Sequence, residues 1–268
     1  MDTPLISIIL PTYNGSRYIG EAIDSVLAQD YENFELIIIN DASTDKKVEE
    51  IILQYQQSDN RIIYIKNEVN LERSTSKNKG ANQAKGDYIA FIDDDDTWSN
   101  VRKLEKQIEV LTHFTQVGIV GTYATCIDEN YVNIGNISTH NTDADIRNNL
   151  LLTNQFIQSS ILIRKDIFQK VGGFNESMNL CEDYDLWLRV GKLTEMRNID
   201  EYCTNYMIRI SNTTSKNSIK MKKVSFSLAL RYRKDYPRFA TALFLRLFTF
   251  FVPISLIVRI KRFFPWLR

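Results

Sequence analysis

The sequence predicts an α/β fold, a mainly parallel sheet with helices packed on both faces, and three observations carry that prediction. Short runs rich in Ile and Leu alternate with segments of helical periodicity from Leu5 to Trp98, the order expected of strand-helix-strand units. Each run ends in a polar turn, around Asn14, Asp41 and Asp93. In open α/β sheets such turns lie together beyond the carboxyl ends of the strands and form the ligand crevice. Finally, 268 residues at 44% hydrophobic and 25% charged can fill one large domain with an appendage.

Residues 5–10 form the first strand, which runs into Pro11, Thr12, Tyr13, Asn14 and Gly15, residues that fix or relax a turn. A helix follows with Ser16 as its N-cap, because Ile19, Ala22, Ile23, Val26 and Leu27 recur on one face. Residues 34–39 are the second strand, ending in Asn40, Asp41, Ala42 and Ser43, and Val48, Ile51, Ile52 and Tyr55 mark a second amphipathic helix. Residues 62–66 are a third strand. A polar stretch, residues 70–80, leads into a helix near residues 74–83.

Residues 88–92 then form a buried strand that stops at Asp93, Asp94, Asp95 and Asp96, since Asp is a poor strand former. Four adjacent carboxylates repel one another unless water screens them or a cation sits among them. On an ordinary surface such a run is a solvated turn. Beyond the end of a buried strand it reads as a site for a hard divalent cation.

A helix with Leu104, Ile108 and Leu111 on one face returns to the sheet, and residues 117–124 are a further strand. Residues 126–154, rich in Asn and Thr, predict loop, short strands and a small helix. Residues 159–164 are strand-like, Gly172, Gly173 and Phe174 make a turn, and Glu182 and Asp183 open a helix whose Tyr184, Trp187 and Leu188 share a face. Carboxylates at a helix N-terminus are favoured by its dipole, so capping is one account of that acid pair. Trp187 reads as core, and Arg189 either pairs with Asp185 four residues earlier or contacts substrate.

The formal net charge of zero hides an asymmetry. Residues 216–268 hold thirteen Lys or Arg against one acid, Asp235, so the chain divides into a main domain over 1–215 and a basic, apolar tail over 216–268. The longest charge-free stretch of the tail, residues 247–258, has twelve residues and contains Pro253, whereas a spanning helix needs about twenty. The expectation is a helical tail lying on the membrane surface through aromatic and basic groups, with an extra helix packed on the domain as the alternative. The density of apolar side chains suits lipid better than nucleic acid. The N-terminus shows no secretory signal. Cys126, Cys181 and Cys203 are scattered and only two His are present, which points to a reducing compartment and away from a zinc site.

The motifs at Pro11–Asn14, Asn40–Asp45, Asn78 with Gly80, Asp93–Trp98, Gly172–Phe174 and Glu182–Arg189 occur in one order. That order resembles family 2 of the nucleotide-sugar glycosyltransferases, which have the GT-A fold, over about residues 5–210. The resemblance implies that Pro11, Tyr13 and Asp41 line the base pocket, with Asp41 accepting from a uracil-type ring N–H. Asp93 would hold the ribose, and Asp95 a Mn²⁺ or Mg²⁺ ion bridging the phosphates, with Asp96 as a further ligand and Asp94 at a variable position. Lys77 stands where an Arg commonly precedes Asn78, keeping the charge but not the bidentate geometry toward phosphate. Asp183 matches the catalytic base, so the implied reaction is an inverting, hexosyltransferase-type displacement. Glu182, about 100° round the helix, is assigned to capping or acceptor orientation.

Asn40 and Ala42 replace the usual Asp and Gly, and Glu72 also stands where Gly is common. No Gln-x-x-Arg-Trp pattern follows Asp183, which implies one transfer per encounter. The implied protein takes a UDP-linked sugar to a glycan or lipid-linked acceptor for the cell envelope or a surface polysaccharide, on the cytoplasmic face of the membrane and without nucleic acid. A catalytically silent nucleotide-sugar binding or scaffold protein and a nucleotidyltransferase are the competing classes.

Overall fold

The computed structural model describes residues 3–209 and 218–251. The expectations for residues 252–268 and for the start of the basic segment at 216–217 lie outside the described residues.

Alternating elements run β1 (Ile6–Thr12), α1 (Ile19–Leu27), β2 (Phe34–Asn40), α2 (Lys46–Ser58), β3 (Ile62–Lys66), α3 (Glu72–Gln83) and β4 (Tyr88–Phe91). The chain continues through β5 (Thr97–Trp98), α4 (Lys103–His113), β6 (Val117–Ile127), β7 (Asn133–Ile137), α5 (Asp143–Leu150), β8 (Leu162–Arg164), α6 (Lys165–Lys170), α7 (Glu182–Val190) and β9 (Glu195–Met207). Two further helices, α8 (Ser218–Arg231) and α9 (Phe239–Phe251), end the described chain.

The strands form one sheet in the order β3-β2-β1-β4-β8-β6-β9-β5, with β7 paired to β6. β1 to β4 are mutually parallel, β8 runs antiparallel between β4 and β6, and β6 and β9 are parallel again. The central strands read as continuous apolar runs because both faces are covered. Ile6, Ile8 and Leu10 pack with Leu36, Ile38 and the apolar faces of α1, α2 and α4. The intervening Ile9, with Ile37, Ile39, Ile89 and Phe91, packs on the other face with α5, α6 and α7, as the two-residue period of a strand requires. A Cβ on Gly80 of α3 would come within 2.7 Å of Ile39 and Ile9, so this helix lies on the sheet closer than a larger residue would permit.

Several elements differ from the sequence reading. Ser16 does not cap α1, which begins after Tyr18 with no side-chain cap; its hydroxyl donates to Asp45 instead. Residues 159–164 are not all strand, since Gln158–Ser160 make a single 3-10 turn before β8. β9 lacks a sequence signature: its buried positions include Asn198 and Thr204 beside Met196, Cys203 and Met207, so polar residues interrupt the apolar alternation. Yet it is the long strand that closes the sheet beside β6.

The described part of the tail packs on the domain. Leu228, Tyr232, Tyr236 and Ala242 share a core with Tyr184, Leu188 and Val190 of α7. The Tyr236 hydroxyl donates to the Leu188 carbonyl at 2.7 Å, and the Tyr232 hydroxyl to Asp185 at 3.1 Å. Buried tyrosines require such partners, and each ring contributes about 1.5–3 kcal/mol on burial.

Candidate active site

Polar turns at the carboxyl ends of β1, β2 and β4 are stitched into one edge. The Asp41 N–H donates to the Thr12 carbonyl at 2.9 Å. Asn14, in the left-handed region at φ 57°, accepts through Oδ1 from the N–H groups of Thr44 and Asp45 at 2.8 and 3.0 Å. The Thr12 hydroxyl donates to Asp94 at 2.5 Å. Asp94 lies so close to Gly15 that a Cβ there would fall 1.9 Å from its carboxylate, which is why the β1 turn ends in glycine.

The acidic run splits by direction. Asp93 accepts from Gln158 at 3.1 Å and pairs with Lys77 at 3.3 Å. Asp95 pairs with Arg209. Asp96 turns inward, accepting from the Met207 N–H of β9 at 2.8 Å, while its second oxygen is buried without a hydrogen-bond partner. Burial works against charge on Asp93, but Lys77 and Arg73 outweigh it and hold that carboxyl below its ordinary range. Burial and the charge of Asp95 push Asp94 up to about 7. Burial and repulsion by Asp93 raise Asp95 despite Arg209 and Arg73, and burial with the charges of Asp95 and Asp93 raises Asp96 well above the carboxylate range. The turn is thus short of positive charge.

Lys77 links the two acidic groups. On α3 and only 1% exposed, its ammonium lies 3.3 Å from Asp93 and 3.9 Å from Glu182. Glu182, an acid in the first turn of α7, thus faces Lys77; the helix follows Cys181 at φ 58°, whose side chain makes no cap. Asp183 diverges from Glu182, as the helix geometry requires, and accepts from Asn154 at 2.8 Å. Burial and the neighbouring Glu182 charge raise Asp183 to about 6, against the Tyr184 N–H, Lys77 and Asn154, which favour the anion. This value suits a base at neutral pH.

The structure thus brings Asp93, Asp95, Lys77 and Asp183 to one edge. Asp41 lies beside them, its Oδ1 held by Asn67 at 2.7 Å and by the Leu71 N–H at 2.8 Å. Pro11 is half-buried and Tyr13 is 49% exposed. Asn78 and the Gly172–Phe174 turn prove to be one clamp, since Asn78 donates to the Phe174 carbonyl and accepts its N–H, both at 2.9 Å. Arg189 is structural: it pairs with Asp185 at 2.8 Å and donates to the carbonyls of Val171 and Gly173 at 2.7 Å.

Arg73, Tyr206 and Arg209 escaped the sequence reading. Arg73 feels the charges of Asp93, Glu182, Asp95 and Asp94. The Tyr206 phenol is pushed up by burial and by Asp96, Asp93, Asp183 and Asp95 together. Tyr206 lies on β9 and Arg209 just beyond it, so no signal announced them; Arg73 had only its charge within a polar stretch. Among the described residues no three His, Cys, Asp or Glu side chains converge as a complete metal cluster. Mg²⁺-type ions bound to nucleotides use one or two carboxylates and complete their shell with phosphate and water. The unpartnered Asp96 oxygen and the mutually repelling acids fit such an ion.

A mixed sheet whose carboxyl edge carries an acidic run, faced by a second acid pair at a helix N-terminus, is the arrangement that the resemblance to GT-A glycosyltransferases implies. Solved structures of that architecture superpose on it. A TarS fragment of S. aureus in complex with UDP-GlcNAc matches with a TM-score of 0.72 over 91% of this chain and 73% of its own, at 18% identity. The mannosyltransferase PcManGT of Pyrobaculum calidifontis, in complex with GDP-Man and Mn²⁺, matches with a TM-score of 0.67 over 85% and 64%, at 17% identity. The model of glycosyl transferase family 2 matches residues 7–172, and the chain belongs to that family. An uncharacterized glycosyltransferase of Methanocaldococcus jannaschii is 34% identical over 215 residues, 78% of this chain and 72% of its own. TuaG of Bacillus subtilis, whose name assigns it provisionally to teichuronic acid biosynthesis, is 42% identical over 108 residues, 40% of this chain and 42% of its own.

Proposed function

We propose that this glycosyltransferase moves a sugar, with inversion and one transfer per encounter, from a UDP-linked donor to a glycan or lipid-linked acceptor of the cell envelope, on the cytoplasmic membrane face. The observation that carries the reading is Asp183, a carboxylate raised to about 6 and held by Asn154 beside Glu182, which Lys77 links to the acidic turn. Pro11, Tyr13 and Asp41 receive the base, Asp41 being fixed by Asn67 and Leu71. Asp93 takes the ribose.

Asp183 accepts the proton of the acceptor hydroxyl as that oxygen attacks the anomeric carbon and the bond to the diphosphate breaks. Lys77 and Arg73 place positive charge beside the departing diphosphate. Asp95, with Asp96 as a further ligand, would hold Mn²⁺ or Mg²⁺, whose contribution is to neutralise the diphosphate. The neighbours' names support this reading: one binds UDP-GlcNAc, the other GDP-Man with Mn²⁺.

The test is thermal stability against a panel of nucleoside diphosphates, with and without Mn²⁺. Stabilisation by UDP only with metal is expected, about 2.7 kcal/mol at a hundred times the dissociation constant. Indifference of the folded protein to every nucleotide would point to a silent scaffold, and release of pyrophosphate in turnover to a nucleotidyltransferase.

A further inference from the structure

We propose that the outward face of α9 is a docking face for an anionic lipid surface. The helix is inverted relative to an ordinary surface helix, which buries its apolar stripe and exposes its charges. Its arginine, Arg246, is 8% exposed. Arg246 donates inward to the Tyr184 hydroxyl at 3.0 Å and to the backbone carbonyl and hydroxyl of Ser225 at 3.1 Å. Meanwhile Phe244 is 67%, Leu247 44% and Phe248 49% exposed. These residues recur at one-turn spacing, and the rings of Phe244 and Phe248 stack 6.3 Å apart. Among the described residues nothing covers the stripe, and a contiguous apolar face of this kind marks an interaction surface.

Charge selects the occupant. Lys220, Lys223, Arg231, Arg233, Lys234 and Arg238 are exposed on α8 and the link into α9. The one acid of the region, Asp235, pairs with Lys192 at 3.0 Å. The sequence continues past α9 with Arg259, Lys261, Arg262 and Arg268 interleaved with Ile, Phe and Trp. Outward aromatics flanked by cations are the composition of a helix lying at a lipid headgroup layer. No helix among the described residues is long and apolar enough to cross a membrane.

The inner face of α9 touches Tyr184, next in sequence to Asp183, and Arg246 also reaches the Leu152 carbonyl at 3.4 Å, two residues from Asn154. A docked α9 therefore places α7, the helix that carries the base, on the membrane-facing side, where a lipid-linked acceptor would approach. That last link rests on the proposed function; the lipid contact does not.

The experiment is co-sedimentation of the full chain with phosphatidylcholine vesicles, with and without phosphatidylglycerol, for the parent and a Phe244→Glu, Phe248→Glu double variant. The expected result is salt-sensitive binding to the anionic vesicles, lowered roughly tenfold or more in the double variant. Its melting temperature should be unchanged, since both rings are solvent-exposed. A parent that stays in the supernatant overturns the proposal. So does a folded double variant that binds as the parent does, which would assign the contact to residues 252–268. A concentration-dependent dimer dissolved by the same substitutions overturns it too, making the face a protein interface. Vesicle binding by a protein that no nucleotide stabilises would support the docking face while refuting the nucleotide-sugar reading.

Discussion

Replacing Asp183 by Asn tests the assigned base through two quantities that move in opposite directions. Asn keeps the size and hydrogen-bonding capacity of the side chain but accepts no proton, so transfer should fall about 10²- to 10⁴-fold, with UDP and Mn²⁺ binding unchanged. Stability should rise. Burial and Glu182 displace the Asp183 carboxyl from 3.8 to about 6, which corresponds to about 3 kcal/mol of unfavourable ionisation in the folded state, an upper figure because the group is half-buried. Because the folded value is raised, this cost is absent below the unfolded value, grows as pH rises through the interval, and is complete above about 6. The variant should thus melt above the parent at pH 8 and with it near pH 3.5. The parent's kcat/KM should fall as pH drops through about 6, on a limb that the variant lacks. Nucleoside diphosphate release in the presence of acceptor and denaturant melts across pH are the assays. Turnover within tenfold of the parent, or a variant less stable at pH 8, would refute the reasoning.

Lys77→Met should cost about 3–5 kcal/mol, because it leaves Asp93 and Glu182 without their buried cation; a urea midpoint close to the parent's would contradict that. Ala42 and Glu72 hold φ of 58° and 68°, so Ala42→Gly and Glu72→Gly should each stabilise by about 1 kcal/mol, read from thermal melts. Arg209→Gln removes the cation paired with Asp95 and should tighten Mn²⁺ binding to the nucleotide-free protein roughly tenfold by titration calorimetry; weaker binding would show that Arg209 does not compete for that carboxylate.

The alternation of β1 to β4 with α1 to α3, the convergence of their turns and the opening of a helix at Glu182 were all legible in the sequence. Each depends on local chemistry: strand period, turn residues, and the ending of an apolar run in four aspartates. Even the departures at Ala42 and Glu72, where glycine is common, were visible, and their positive φ values give the physical reason for that preference. Three things only the tertiary structure decided. Lys77 became the bridge between Asp93 and Glu182 because α3 packs tightly on the sheet through Gly80. Tyr206 and Arg209 reached the acidic turn from β9 and its end, a strand whose interrupted pattern could not be read because its neighbours, not its own apolar period, hold it in the sheet. The inversion of α9 depends on Tyr184 and Ser225, which satisfy Arg246 beneath it. Sequence fixes the period of a helix, but which of its faces turns inward follows from the partners it meets.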